Sequence, residues 1–206
     1  INETVIESEE IFSDIVLDLY GQMEGRTGDL VFSDGGKIMT IKSLYTIAKP
    51  SDMDMNSRAF LNKVYKHIEQ EVIKDAVPEE YYKALHSLFE VISSLSEGYY
   101  LTPDLVEDVP LSQTLSLFQM HYPDVEMTFM EQLMDFIVMQ KELFKTKLFV
   151  FVQVRAFMTP DDFENLLEFA RYEQIQLWFI EFSEKSRPVN EDNYYRLIVD
   201  QDGCEI

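Results

Sequence analysis

The chain has 206 residues, of which 46% are hydrophobic, enough for one folded core with a small additional lobe. Its 38 acidic and 17 basic residues give a formal charge of −21, so any polyanion must meet a local basic surface. The single cysteine excludes an internal disulfide and favours a reducing compartment. No apolar run approaches the ~20 residues of a membrane helix, and no secretory signal is present. We therefore expect a cytoplasmic protein without membrane contact.

The N-terminal part of the chain has the pattern of a strand, a helix and a strand pair. Residues 4–6 are short and apolar, and helical spacing of apolar residues follows over residues 11–19. Two apolar runs within residues 30–41 flank an Asp-Gly-Gly sequence, which is typical of a hairpin turn. Residues 44–48 form a further β-prone run, which ends before a proline.

The middle of the chain has the apolar periodicity of helices instead. A proline opens the second of these helices, and Thr128 with Glu131 forms a capping box before the last one. The predicted helices cover approximately residues 57–72, 78–92, 111–120 and 129–144.

The C-terminal part of the chain predicts a parallel βαβ unit. Residues 148–152 are continuously apolar, as in a strand that is covered on both faces. A helix that begins at Thr159-Pro160 separates this strand from a second buried strand over residues 175–180. Such a unit is right-handed by default, and residues 194–199 add a last strand.

Together these elements predict an α/β fold with a mixed sheet built from both ends of the chain. The head domain comprises residues 1–56 and 146–206. Residues 57–145 form an inserted helical lobe, or leg.

The sequence lacks the motifs that enzymes of this class use. Residues 153–157 follow a parallel strand, where nucleotides often bind, but no glycine-rich phosphate loop is present. A nucleotide phosphotransferase would need such a loop. No nucleophile elbow is present, and His67 with Glu71 is more typical of a surface pair than of a metal site. We therefore predict that the protein is not an enzyme.

One acidic segment could bind a hard divalent cation such as calcium. Several carboxylates on irregular backbone are the ligands that calcium prefers, although the spacing is not that of an EF-hand. The alternative is a solvated acidic turn. The candidate ligands are Glu97, Asp104, Glu107 and Asp108.

Two groups of basic residues stand out against the acidic background. Lysine suffices for sequence-independent phosphate contacts, because these need only a positive charge on a reachable surface. Lysines near the end of a helix also stabilise its negative pole, which is an alternative explanation for the first group. The candidate DNA-binding residues are Lys141, Lys145 and Lys147, and Arg58, Lys63 and Lys66.

Several of these segments resemble one known family. Residues 141–152 carry the densest match, which continues through residues 156–162 to Glu181. An Asp-x-Asn-Ser element at residues 54–57 and an Asp-x-x-Lys-x-x-x-Ile-Lys element at residues 34–42 extend it. These motifs are similar to those of the small spacer-acquisition protein encoded beside the guide-RNA nuclease in type II-A CRISPR loci.

The resemblance implies a homotetrameric ring with an α/β head and a helical leg. It implies a head related to P-loop kinases without the phosphate loop, and calcium bound near the junction of head and leg. It also implies a central hole lined by lysines that takes double-stranded DNA ends, without enzymatic activity. The implied partners are the CRISPR integration proteins and the guide-RNA nuclease effector.

The resulting functional hypothesis is a ring that binds double-stranded DNA ends and supports CRISPR spacer acquisition. A ring threaded by DNA tolerates a net negative charge, because only its bore must be basic. The alternative is a protein-only scaffold of the adaptation complex, in which DNA contact is incidental. The charge of −21 favours this alternative.

Overall fold

The computed structural model describes residues 1–34, 36–39, 41–74, 78–99, 109–123 and 126–206. The chain forms two compact units. The sheet unit comprises Ile1–Asp54 and Asp124–Ile206, and the helical unit comprises Met55–Pro123. Within the described part of the chain, no helix is both long and apolar enough to cross a membrane.

A five-stranded parallel sheet forms the centre of the sheet unit. Its strand order is β4-β5-β6-β1-β7, so the first strand lies inside the sheet. The strands are β1 (Asn2–Ile6), β4 (Leu44–Ile47), β5 (Leu148–Val152), β6 (Gln176–Glu181) and β7 (Tyr195–Val199).

The predicted mixed sheet is wrong in one respect, because all five strands run parallel. The predicted hairpin exists as β2 (Ser33–Asp34) and β3 (Lys37–Ile38), which form a separate two-stranded antiparallel sheet. Parallel neighbours need long crossover connections, and the intervening helices and the lobe supply these connections.

The predicted βαβ unit is confirmed. β5 and β6 are parallel neighbours with Val150 opposite Trp178, and every residue of β5 is buried. The connecting helix α6 (Pro160–Tyr172) begins with the capping box of Thr159 and Asp162. This helix buries four apolar residues against the sheet.

Helices cover both faces of the sheet. On one face Phe151 stacks on Phe179, with ring centroids 4.8 Å apart, and Phe163 of α6 meets Phe179 edge-on. On the other face, helix α1 (Glu9–Met23) packs its apolar side against a cluster that includes Val150 and Ile180. The two faces alternate along each strand, as the two-residue period requires.

Helix α5 (Phe129–Phe144) belongs to the sheet unit. The second division between the compact units therefore lies after Pro123, and not at the predicted boundary of residue 145. Its buried residues include Phe136, whose ring lies 5.1 Å from that of Tyr45 on β4. The apolar face of α5 therefore serves the core of the sheet unit.

The helical unit contains α2 (Arg58–Lys74), α3 (Glu79–Ser96) and α4 (Leu111–Leu117). The Tyr65 hydroxyl on α2 donates to the carbonyl of Met120, just beyond α4, at 3.0 Å. Asn56 exchanges two hydrogen bonds with the backbone of Tyr122, at 2.7 and 3.2 Å. Among the described residues, α3 contains none that is buried.

Candidate nucleic-acid interface

A basic cleft lies at the amino edge of the sheet, where β5 and β6 begin. Both α5 and α6 end at this edge, and each is followed by a residue in the left-handed conformation, Lys145 (φ 58°) and Gln174 (φ 55°). The cleft has a volume of about 360 Å³. Lys141, Lys145, Thr146, Lys147, Gln174 and Gln176 contribute to its lining. The structure thus brings the first predicted group of lysines together.

Lys141 differs from the other two lysines because its ammonium group has protein partners. Its Nζ donates to the carbonyl of Glu173 at 2.6 Å and to the carboxylate of the same residue at 3.0 Å. Glu173 follows α6, so this contact ties the end of α5 to the end of α6. The ammonium group of Lys141 is thus engaged at the end of α6, a neighbouring helix, rather than at the end of its own helix.

Lys145 and Lys147 are exposed and flank the buried Thr146. Within the described part of the chain, neither ammonium group has a hydrogen bond or an ion pair. The backbone N–H of Lys147 donates to the carbonyl of Ser43 at 2.8 Å, which fixes this segment beside β4. Two unneutralised cations are thus held on ordered backbone.

The second basic group lies on α2 in the helical unit. Arg58, Lys63 and Lys66 are all exposed. Helical geometry places Arg58 and Lys66 about 80° apart around the axis and ~12 Å apart along it, so they share one face. The two basic groups belong to different units.

The predicted calcium ligands fall largely outside the described residues. Asp104, Glu107 and Asp108 lie outside them, as does the side chain of Glu97, which begins a short 3-10 turn (Glu97–Tyr99). Among the residues that are described, no group of three or more histidine, cysteine or acidic side chains is arranged to hold a metal. The calcium site therefore stays a prediction.

The carboxyl edge of the sheet, where doubly wound folds usually bind ligands, carries a smaller cleft of about 310 Å³. Arg155 lines it, but its guanidinium donates to the carboxylate of Glu3 and, at 2.8 Å, to the carbonyl of Ser186. At the nearby start of α6, the Asp162 carboxylate accepts from the backbone N–H of Thr159 at 2.9 Å. Arg155 and the backbone at the start of α6 are thus already engaged within the protein.

A buried polar network links this edge to β1 and β7. The carboxylate of Glu3 accepts from Arg155, from the Tyr194 hydroxyl and, at 2.5 Å, from Nε of Arg196. Burial, followed by the neighbouring Glu3 carboxylate, raises the pKa of Tyr194 well above its usual range. Sequence reasoning missed this network, because nothing local in the first strand indicates partners so distant in the chain.

Glu181 ends β6 beside this network and is almost completely buried. Burial raises the pKa of its carboxyl to about 7, although the hydrogen bond from the backbone N–H of Arg155, at 3.2 Å, acts in the opposite direction. The guanidinium of Arg155 also lies 3.8 Å above the centre of the Phe163 ring. The arrangement ties the strand ends together.

A family model and a solved structure both match this chain. A family model described as CRISPR-associated protein (Cas_Csn2) matches residues 22–203. Among solved structures, the crystal structure of Stu0660 of Streptococcus thermophilus is similar, with a TM-score of 0.55 and 15% sequence identity. The match covers 88% of this chain and 63% of that chain, so the present chain spans less than two thirds of that relative. No curated protein matches.

The family model covers most of the chain, including β4 to β7 and the whole basic cleft. The solved structure is similar in fold. The sequence resemblance is therefore confirmed: the chain belongs to the Cas_Csn2 family of CRISPR-associated proteins.

Proposed function

We propose that this protein binds the ends of double-stranded DNA, without reading sequence and without cutting, as a homotetrameric ring that supports spacer acquisition. The observation that carries the proposal is the pair of exposed cations, Lys145 and Lys147, in the basic cleft of a family member with a net charge of −21. The second basic group, Arg58, Lys63 and Lys66, adds a further phosphate-binding surface in the helical unit.

Electrostatics permits this function despite the acidic composition. Duplex DNA presents one charge per ~1.7 Å of axis, and each neutralised phosphate releases counterions whatever the base sequence. Only the surface that meets DNA must be basic, and beyond about 10 Å the remaining negative charge is largely screened at 0.1 M salt. The proposed calcium ion would offset further carboxylates, with Glu97, Asp104, Glu107 and Asp108 as its candidate ligands.

The surface of α3 supports self-association. Apolar residues recur along it with alternating spacings of four and three, the heptad pattern of helices that pair with other helices. The exposed members of this row include Leu88, Ile92 and Leu95, of which Leu95 is 70% exposed. Rows of this kind on a water-facing helix mark interaction surfaces. We assign it to contacts between copies of this chain in the tetramer.

The proposed absence of catalysis has support at the carboxyl edge of the sheet. Only Glu7 and Ser8 connect β1 to α1, which leaves no room for a glycine-rich phosphate loop. A parallel sheet with helices on both faces and without this loop fits a degenerate relative of P-loop kinases. The proposed partners are the integration proteins and the guide-RNA nuclease effector, in the cytoplasm.

The test compares linear duplex DNA with relaxed closed circles of equal length in a gel shift, with and without a calcium chelator. A closed ring should bind the linear form and leave the circles unbound, because two closed rings cannot thread each other. Equal binding of both forms would refute threading. The DNA is recovered afterwards to check that its ends are intact, and nucleotide turnover is measured alongside.

The scaffold alternative is favoured by the overall charge of −21. In that case neither DNA form should shift at physiological salt, whereas the adaptation proteins should still bind the chain. The gel shift, together with a binding assay for the adaptation proteins, therefore distinguishes the two functions.

A further inference from the structure

We propose that the lysines of the basic cleft have two different roles in DNA binding. Lys145 and Lys147 contact DNA phosphates together with the amides of Gln174 and Gln176, whereas Lys141 is a positioning residue that holds the cleft in shape. This inference rests on the proposed DNA binding. It adds two contact residues that the sequence did not indicate and removes one lysine from the contact surface.

The partners of Lys141 define its role. Its ammonium group lies between the carbonyl and the carboxylate of Glu173, and its side chain is only 39% exposed. A phosphate would have to displace a carboxylate that already neutralises this charge. Glu173 directly precedes Gln174, whose left-handed backbone turns the chain into β6. Lys141 thus fixes the turn that presents Gln174.

Lys145 and Lys147 have no such neutralising partner in the described part of the chain. The burial of Thr146 between them anchors the segment, and the hydrogen bond from Lys147 to Ser43 fixes it further. A phosphate that binds here therefore gains charge contacts without breaking an existing ion pair. Little backbone entropy is lost, because the segment is already ordered.

Gln174 and Gln176 complete the surface. Both side chains are exposed and line the same cleft as the lysines. Gln176 begins β6 directly opposite Leu148, the residue after Lys147. Glutamine amides donate hydrogen bonds to phosphate oxygens without reading bases, which suits binding that is independent of sequence.

The opposite edge of the sheet does not offer an equivalent surface. There the guanidinium of Arg155 is paired with Glu3, and Lys185 is the remaining cation that lines the cleft. The cleft at the usual position of ligands in doubly wound folds is therefore the less basic of the two clefts.

The experiment measures the affinity of full-length variants for a linear duplex across a salt series. Three variants test the cleft: Lys145→Met with Lys147→Met, Lys141→Met, and Gln174→Glu with Gln176→Glu. Methionine keeps an unbranched apolar stem and removes the charge. Matched controls at the opposite edge are Lys185→Met and Gln201→Glu, both at exposed positions.

The double lysine variant should lower the salt slope of log K by about two units for each subunit that touches DNA, because two phosphate contacts are lost. The double glutamate variant should weaken binding at every salt concentration by at least tenfold. Lys141→Met should lower the thermal midpoint and weaken binding a few-fold, with the salt slope unchanged. Lys141→Arg should restore both losses, because arginine also donates to a carboxylate and a carbonyl.

Four results would overturn the inference. A lower salt slope for Lys141→Met would make Lys141 a contact residue. A salt slope equal to that of the parent for the double lysine variant would show that these lysines do not contact DNA. An effect of the glutamate variant no larger than that of the controls would show the same for the glutamines. In both cases the proposed DNA binding would remain possible. If the parent protein does not bind linear duplex at all, the inference and the proposed function both fail.

Discussion

Replacement of Glu181 by glutamine should make the sheet unit more stable at alkaline pH and leave it little changed near pH 5. Burial raises the pKa of this carboxyl from 4.5 to about 7 in the folded protein. Between these pH values the folded state holds a proton that the unfolded chain has released. The parent protein therefore loses stability as the pH rises through this window.

The magnitude follows from the size of the shift. A difference of about 2.5 pKa units corresponds to roughly 3 kcal/mol, of which about 2–3 kcal/mol develops between pH 5 and pH 8. The advantage of Glu181→Gln over the parent should grow by that amount across the range. The glutamine oxygen can still accept the hydrogen bond from the backbone N–H of Arg155, so the local geometry has no reason to change.

Urea denaturation followed by tryptophan fluorescence measures this difference. Trp178, the only tryptophan in the chain, lies on β6 and therefore reports on the sheet unit. Glu168→Gln, on the exposed side of α6, is the matched control and should show no growing advantage. Measurements start at pH 5, because the sequence pI of about 4.3 favours precipitation below it. A stability difference between Glu181→Gln and the parent that is independent of pH would refute the reasoning.

Three further predictions concern the core, the interface and the metal. Phe151→Ala should lower the free energy of unfolding by ~3–5 kcal/mol, because it opens a cavity beside a fully buried ring; a denaturation midpoint equal to that of the parent would contradict this. Leu88→Asp with Leu95→Asp should shift the protein to a lower mass in sedimentation, since charges on the apolar row of α3 oppose self-association; an unchanged mass would place the interface elsewhere. Asp104→Asn with Asp108→Asn should weaken calcium binding in calorimetry, and an unchanged titration would remove both from the site.

The parts of the fold that were predictable are those with strong local signals. The continuous apolar run of β5, the helix start at Thr159-Pro160 and the buried strand that follows predicted a parallel βαβ unit, which is confirmed. The capping box of Thr128 and Glu131 likewise marked the start of α5 correctly. Family membership was also predictable, because the matching motifs are dense in this region.

Features that depend on tertiary partners were not predictable. The periodicity of α5 gives the position of its apolar face, but not that Tyr45 and the sheet cover it. The pairing of Lys141 with Glu173 joins residues 32 apart, which composition cannot indicate. The buried Glu3 network joins strands from opposite ends of the sequence for the same reason.

The position of β1 inside the sheet has a consequence for how the protein folds. Its two neighbours, β6 and β7, are made more than 150 residues later, and the Glu3–Arg196 contact spans 193 residues. The helical unit is one continuous stretch of chain and can form on the ribosome well before then. β1 can pair only after β6 has been made, and β6 keeps an unpaired edge until β1 docks. The time needed for this single docking step sets how long the nascent protein is exposed to aggregation.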